Sequence, residues 1–317
     1  MPLTLFLAVE EAAGLLLLQA LLRTPHRIAG VAVTPGDPAG VERLALRHGL
    51  AVWPAARVRD PDFADTLRAA GVDLLLNVHS LHIVCPAVLE APRLGAYNLH
   101  PGPLPRYAGL NAPSWAIFRG ETRHAVTLHR MVPAIDAGPV AGEAWFPIGP
   151  QDSALAVYTR CAKFGLLLVT RLVERCARDP DAVRHRDLDP AGRRVYGRQP
   201  PNGGWIDWDW SAATIANFAR ACAFGPFASP WGLPKLRLGD DTLAVSRLRR
   251  AEDTADAPPG TVVAVNADGS ALVAASDGAL ILEQLVIGGG RVPAGGVLTA
   301  GCRFAPSPDI AETRKVA

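Results

Sequence analysis

The 317-residue sequence has no Cys-x-x-Cys pair, no long apolar run, no dense basic patch and no internal repeat. Each absence removes a class of function. Five cysteines (Cys85, Cys161, Cys176, Cys222 and Cys302) stand far apart. Their odd number and the length of the chain argue against a disulfide framework and for reduced thiols in a cytoplasmic protein. No His, Cys or Asp cluster has ligand spacing, so no metal is expected. No stretch of about 18 uncharged apolar residues occurs, so no membrane span is expected. The opening MPLTLFLAVEEAAGLLLLQALL is apolar, but Glu10 and Glu11 interrupt it and no basic segment precedes it, which disfavours a signal peptide. Formal net charge is only +2. The one short basic cluster is Arg247, Arg249 and Arg250, whereas a nucleic-acid surface needs a concentrated basic face. The first strand leads into AVEEAAG, which lacks the glycine pair of a G-x-G-x-x-G dinucleotide cradle.

What is present points to a folded chain with large cores: 49% hydrophobic and 20% charged residues, a balance too apolar for disorder. The length predicts two domains. LTLFLAV, RIAGVAVT, AVWPA and VDLLLNVH read as strands. EAAGLLLLQALLRT, VERLALRHG and PDFADTLRAAG read as the helices between them. This alternation predicts an α/β fold with a doubly wound, Rossmann-like parallel sheet over 1–200. Residues 153–179 read as one long helix, and the charged stretch 178–194 as a surface linker. After Pro200, a Ser-capped helix at 211–223 and short strands with Asp-Gly turns predict a smaller β-barrel over 201–306. A tail follows over 307–317.

The chemistry concentrates in GAYNLHPGPLPRYAG (95–109). Alternate residues of a strand share a face, so Asn98 and His100 point the same way at the end of an otherwise apolar strand. The Pro-rich loop after them holds non-helical backbone against His100, where open α/β sheets bind ligands. A second strand, AVTLHRM, runs into a loop that carries Asp136 before Ala137-Gly138-Pro139.

NLHPGPLPRYAG followed by IDAGPV resembles the formyltransferases that use 10-formyltetrahydrofolate. That family includes methionyl-tRNA, glycinamide ribonucleotide and aminosugar formyltransferases. The resemblance covers most of 1–200, and 200–305 is similar to the C-terminal barrel of the tRNA and aminosugar enzymes. It implies Asn98, His100 and Asp136 as catalytic residues, with 10-formyltetrahydrofolate as co-substrate. It implies a folate site at His82, Ile83 and Val84 and at Val132, Pro133, Ala134 and Ile135. The chemistry needs such groups independently: donors for the oxyanion at the formyl carbon, and a base for the proton of the attacking amine. The loop departs from the family's usual pattern, with Gly102 in place of Ser and Pro103 in place of Leu.

The acceptor reads as a small amine. The stretch VTPGDPAGVERLA, where the tRNA enzymes carry a basic insertion, has one Arg and two acids, which argues against a nucleic-acid partner. The texture of 221–239 favours an amino acid, free or tethered to a carrier protein. A nucleotide-linked amino sugar is the alternative, as is a folate-binding protein with altered or lost one-carbon chemistry. Arg106, Tyr107 and Asn111, just past the catalytic loop, are candidate acceptor contacts.

Overall fold

The computed structural model describes residues 1–252 and 254–308. The chain forms two compact units. The first comprises Met1–Ala112, Arg123–Pro147 and Tyr158–Tyr196; the second comprises Pro113–Thr122, Ile148–Val157 and the chain from Gly197 onward.

In the first unit, strands β1 (Thr4–Val9), β2 (Arg27–Val33), β3 (Val52–Pro54), β4 (Leu74–Val78) and β5 (Gly95–His100) are parallel. A two-residue strand, β6 (Ala108–Gly109), follows β5 and lies outside this sheet. The sheet is completed by β7 (Arg123–Arg130) and β8 (Val140–Pro147) in the order β3-β2-β1-β4-β5-β7-β8. β7 runs antiparallel to both β5 and β8, so the expected doubly wound, Rossmann-like sheet is present with one reversed strand near its edge. Connection length sets the β7–β8 relation: only the loop 131–139 joins them, and a parallel crossover needs roughly a dozen residues or more. The order reverses direction between β1 and β4, the position at which doubly wound sheets open a crevice.

The apolar runs of the sequence become buried strands because both sheet faces are covered. Helix α1 (Glu11–Leu21) buries Ala13, Gly14, Leu17, Leu18 and Leu21, a stripe at helical spacing. Helices α2 (Val41–Arg47), α3 (Phe63–Ala69) and the short α4 (Pro86–Leu89) follow β2, β3 and β4. Phe6, Trp53 and Phe63 meet edge to face, with centroids 5.5 and 5.3 Å apart. Phe63 is fully buried, so its truncation to Ala would cost about 3–5 kcal/mol. Helix α5 (Ala112–Phe118) lies in a stretch without an anticipated element, and α6 (Ala154–Arg178) is the long helix the sequence predicts. A Cβ on Gly165 of α6 would lie 2.4 Å from Leu99 Cδ2. The missing side chain thus lets α6 approach the strand that carries Asn98 and His100.

The stretch 178–194 is more than a linker. Val140 and Arg186 exchange both backbone hydrogen bonds (2.8 and 2.9 Å), and β9 (Val195–Tyr196) pairs with β6.

In the second unit, Ser211 caps α7 (Ala212–Ala221) by accepting from the Thr214 amide at 3.1 Å. Six antiparallel strands follow among the described residues: β10 (Lys235–Leu238), β11 (Asp241–Arg250), β12 (Val262–Val265), β13 (Ala271–Ala275), β14 (Gly278–Ile287) and β15 (Gly290–Pro293). Their order is β10-β11-β14-β13-β12, with β15 beside β14. Ala305 bridges Arg237 of β10, and Arg303 bridges Thr261 next to β12, so one segment touches both outer edges of the curled sheet. Phe304 within it is buried and stacks on Trp208 at 5.0 Å. The tail read from 307 onward lies outside the described residues after Pro308.

Candidate active site

β5 delivers Asn98 and His100 to one face, as the strand period requires. The neighbouring strands complete the row: Asn77 of β4 pairs in register with Asn98, and Asn98 with His129 of β7. The loop 131–139 folds back over this face. A Cβ on Gly138 would lie 1.8 Å from the Arg130 carbonyl oxygen, so only glycine permits that crossing. Asp136 has φ +47°, a left-handed conformation that costs an L-residue roughly 1–2 kcal/mol. Its surroundings hold it there: the Gly109 amide donates to Oδ2 at 2.8 Å. Arg193 donates to the carbonyls of Ile135 (2.6 Å) and Asp136 (3.3 Å).

Asn98, His100 and Asp136 therefore converge. Oδ2 of Asp136 is 3.4 Å from His100 Nδ1, and Oδ1 is 3.4 Å from both Asn98 Nδ2 and His129 Nε2. These three contacts are long beside the backbone bond from Gly109, and long hydrogen bonds are weak ones. The carboxylate is anchored by backbone and only loosely engaged by side chains. Nδ2 of Asn98 also donates to His129 Nε2 at 3.1 Å, so the long bond to Asp136 is the one a substrate oxygen could most easily replace.

His100 is buried, and its Nε2 lies 2.6 Å from the Tyr107 carbonyl. A carbonyl only accepts, so the ring proton sits on Nε2. Burial pulls the imidazole pKa down, while Asp136 and the Tyr107 carbonyl push the other way. Burial is the larger effect, so the ring is neutral and Nδ1 offers a lone pair beside a carboxylate. Burial alone would raise the Asp136 carboxyl, but the positive charge that His100 carries once protonated and the Gly109 amide hold it well below the usual carboxylate range. A base and a fixed negative charge that stabilises its protonated form thus stand side by side.

The expected folate residues divide. Ile83, Val84 and Pro133 line one cleft of about 530 Å³ together with Arg59, Cys85 and Pro86. That size is within the range of small-molecule pockets. The apolar walls suit a flat ring system, and Arg59 supplies a cation at its edge. Nδ1 of His82 is buried without a protein partner. Val132 is half-buried, and Ala134 and Ile135 are exposed on the Asp136 loop. Of the candidate acceptor contacts, Arg106 is exposed and Asn111 half-buried. Tyr107 takes a different part from the one expected. Its ring is buried and stacks on Tyr196 at 5.4 Å, and its carbonyl positions His100.

Sequence reasoning missed His129, Asn77 and Arg193. His129 and Asn77 were visible only as polar residues inside apolar strands; Arg193 lay in the charged stretch read as surface. Among the described residues no group of three or more His, Cys, Asp or Glu could hold a metal. No described helix is long and apolar enough to cross a membrane.

Residues 28–173 match the formyl transferase family, and residues 200–301 match its C-terminal domain. The chain belongs to the formyl transferase family. Among solved structures, it is similar to HypX from Aquifex aeolicus in complex with tetrahydrofolic acid. That match has a TM-score of 0.63 and 18% identity over 93% of this chain and 46% of the other. The chain thus spans about half the length of that protein. It is also similar to WlaRD, a sugar 3N-formyl transferase solved with dTDP and 5-N-formyl-THF. There the TM-score is 0.67 and the identity 16%, over 89% of this chain and 97% of the other. A third likeness is to glycinamide ribonucleotide transformylase 1 from Symbiobacterium toebii, with TM-score 0.51 and 25% identity over 59% and 95%.

Proposed function

We propose that the protein moves a formyl group from 10-formyltetrahydrofolate to the amine of a small acceptor. The observation that carries this reading is the convergence of Asn98, His100 and Asp136 in a chain that also has the apolar cleft at Ile83, Val84 and Pro133. The cleft walls would hold the pteridine. Asn98 would turn an amide hydrogen from Asp136 to the formyl oxygen as negative charge develops there. His100 Nδ1 would take the proton of the attacking nitrogen, the charge of Asp136 would stabilise the imidazolium, and that proton would pass to N10 of tetrahydrofolate as its bond to the formyl carbon breaks.

For the acceptor, we favour an amine on a nucleotide-linked sugar. WlaRD is a sugar 3N-formyl transferase solved with dTDP, and the Symbiobacterium enzyme is, by its name, a glycinamide ribonucleotide transformylase. The aromatic texture that suggested an amino acid has a plainer account in part. Trp231 is buried against Trp115 at 4.9 Å and near Phe218 at 6.4 Å. An amino-acid acceptor keeps one observation on its side. A cleft of about 200 Å³ at the ends of β1 and β2 is lined by Glu10, Glu11 and Asp37, and carboxylates repel a nucleotide's phosphates.

Mass spectrometry of products formed from 10-formyltetrahydrofolate with nucleotide amino sugars, free amino acids and carrier-tethered aminoacyl groups tests this. A formylated nucleotide sugar is expected. A formylated amino acid alone would overturn the acceptor assignment. Folate binding without any product would overturn the transfer reaction.

A further inference from the structure

Three polar side chains lie side by side across neighbouring strands: Asn77, Asn98 and His129. Asn77 is 6% exposed. Its Nδ2 donates to the Ser80 carbonyl (3.3 Å) and to Oδ1 of Asn98 (3.0 Å). Neither acceptor has a hydrogen to give back at that position, so the Asn77 amide is held in one orientation. At the far side, Nδ1 of His129 lies 3.0 Å from the Arg130 carbonyl, which puts the ring proton on Nδ1 and a lone pair on Nε2. The Asn98 amide is thus set from both sides, each time by way of a backbone carbonyl. Asn77 also carries a cost: its Oδ1 is buried with no partner. A residue present only to fill space would pack better as an aliphatic, because an unpaired buried oxygen is unfavourable.

We propose that Asn77 is a positioning residue that holds the Asn98 amide with its NH2 group toward His129 and Asp136. In the opposite orientation Asn98 would aim its oxygen at the Asp136 carboxylate and would offer no donor to a developing oxyanion. The kinetic consequence rests on the formyl-transfer reading; the orientation itself does not.

The test uses the full chain and three substitutions. Asn77→Asp is isosteric, and in its ionised form, identified by the side-chain carboxyl ¹³C shift, it only accepts. Asn98 must then turn its NH2 group toward position 77, and its oxygen meets His129, which has to donate from Nε2. Imidazole ¹⁵N chemical shifts separate a lone-pair nitrogen from a protonated one. We expect His129 Nε2 to change from the first to the second at neutral pH. We also expect kcat to fall about tenfold, the worth of one well-made hydrogen bond, with the dissociation constant for 10-formyltetrahydrofolate unchanged. Asn77→Ser, which keeps a donor, should retain the wild-type nitrogen shift and most of the turnover. An unchanged His129 signal in Asn77→Asp would overturn the proposal. If that variant does not fold, Asn77→Leu removes the donor without adding an acceptor, and unchanged kcat there would overturn it equally. Wild-type protein inert toward every amine would count against formyl transfer, while the nitrogen shifts would still judge Asn77.

Discussion

His100 is gripped at one ring nitrogen and left loose at the other: Nε2 is 2.6 Å from the Tyr107 carbonyl, and Nδ1 is 3.4 Å from Oδ2 of Asp136. The short bond fixes the tautomer and the ring plane. The long contact leaves the lone pair of Nδ1 close to a negative charge without a proton between them. That arrangement favours taking up a proton during reaction over holding one beforehand.

Asp136→Asn should therefore damage turnover far more than folding. Its side-chain oxygen can still accept from the Gly109 amide, but the charge that stabilises a protonated His100 is gone. We expect kcat to drop by about 10²–10⁴, the usual range for a positioned proton-transfer group, with circular dichroism unchanged. A loss of less than tenfold in formyl transfer would remove Asp136 from the mechanism.

Stability should fall on acidification in two stages. The folded pKa of His100 is lowered by burial, so the unfolded chain binds the proton first. That contribution is complete above the unfolded value of about 6.5 and is lost as pH falls through the folded pKa. The folded pKa of Asp136 is also lowered, by the charge of protonated His100 and by the Gly109 amide against the opposing effect of burial. Its contribution is complete above about 3.9 and is lost only at more acidic pH. A wild-type Tm that declines from about pH 6.5 downward, and a flatter profile in His100→Asn, are the expected results. A Tm that rises on acidification through that range would mean that Asp136 outweighs burial and that His100 starts protonated.

Much of this site was legible because it is local. Asn98 and His100 are two residues apart on a strand, and the strand period alone places them on one face. The loop chemistry of Asp136-Ala137-Gly138 is likewise contiguous, and Gly138 is explained by its crossing of Arg130. What stayed hidden depends on pairings that a single sequence does not encode. His129 becomes a neighbour of Asn98 only through the β5–β7 register, and that register depends on β7 being antiparallel, which the sequence pattern did not reveal. Arg193 is 57 residues from Asp136. In a stretch of Arg, Asp and Pro, nothing distinguishes a side chain that tethers a loop from one that meets water.

That tether gives a prediction. Arg193 bonds two successive carbonyls of the loop and helps keep Asp136 at positive φ. Arg193→Ala should free the loop and lower kcat about tenfold, because misplacing a reacting group by an ångström is costly. Arg193→Lys, a single point donor in place of a fork, should recover only part of that. Equal kcat in all three proteins would mean that the remaining contacts of the Asp136 loop suffice to hold it.

Gly102 stands where the family's usual loop has Ser, and the surrounding atoms explain why a side chain is not tolerated. A Cβ there would lie 2.8 Å from Ala112 Cβ and 3.0 Å from both His100 Nε2 and the Tyr107 carbonyl oxygen. The loop has little freedom to retreat. The Gly102 amide donates to the His100 carbonyl at 2.9 Å, and its own carbonyl accepts from Thr127 Oγ1 at 2.8 Å. Gly102→Ser should therefore do two separable kinds of harm. Overpacking against Ala112 should cost about 1–3 kcal/mol of stability. Intrusion between His100 and Tyr107 should lengthen the bond that fixes the imidazole tautomer and reduce kcat. A double-mutant cycle with Ala112→Gly distinguishes them. Relieving the Ala112 contact should restore much of the Tm, beyond the sum of the single effects, yet leave kcat low, because the atoms around His100 Nε2 are unchanged. Recovery of kcat in the double variant would show that Gly102 serves packing alone, and that the bond from His100 to Tyr107 does not set the geometry of the reaction.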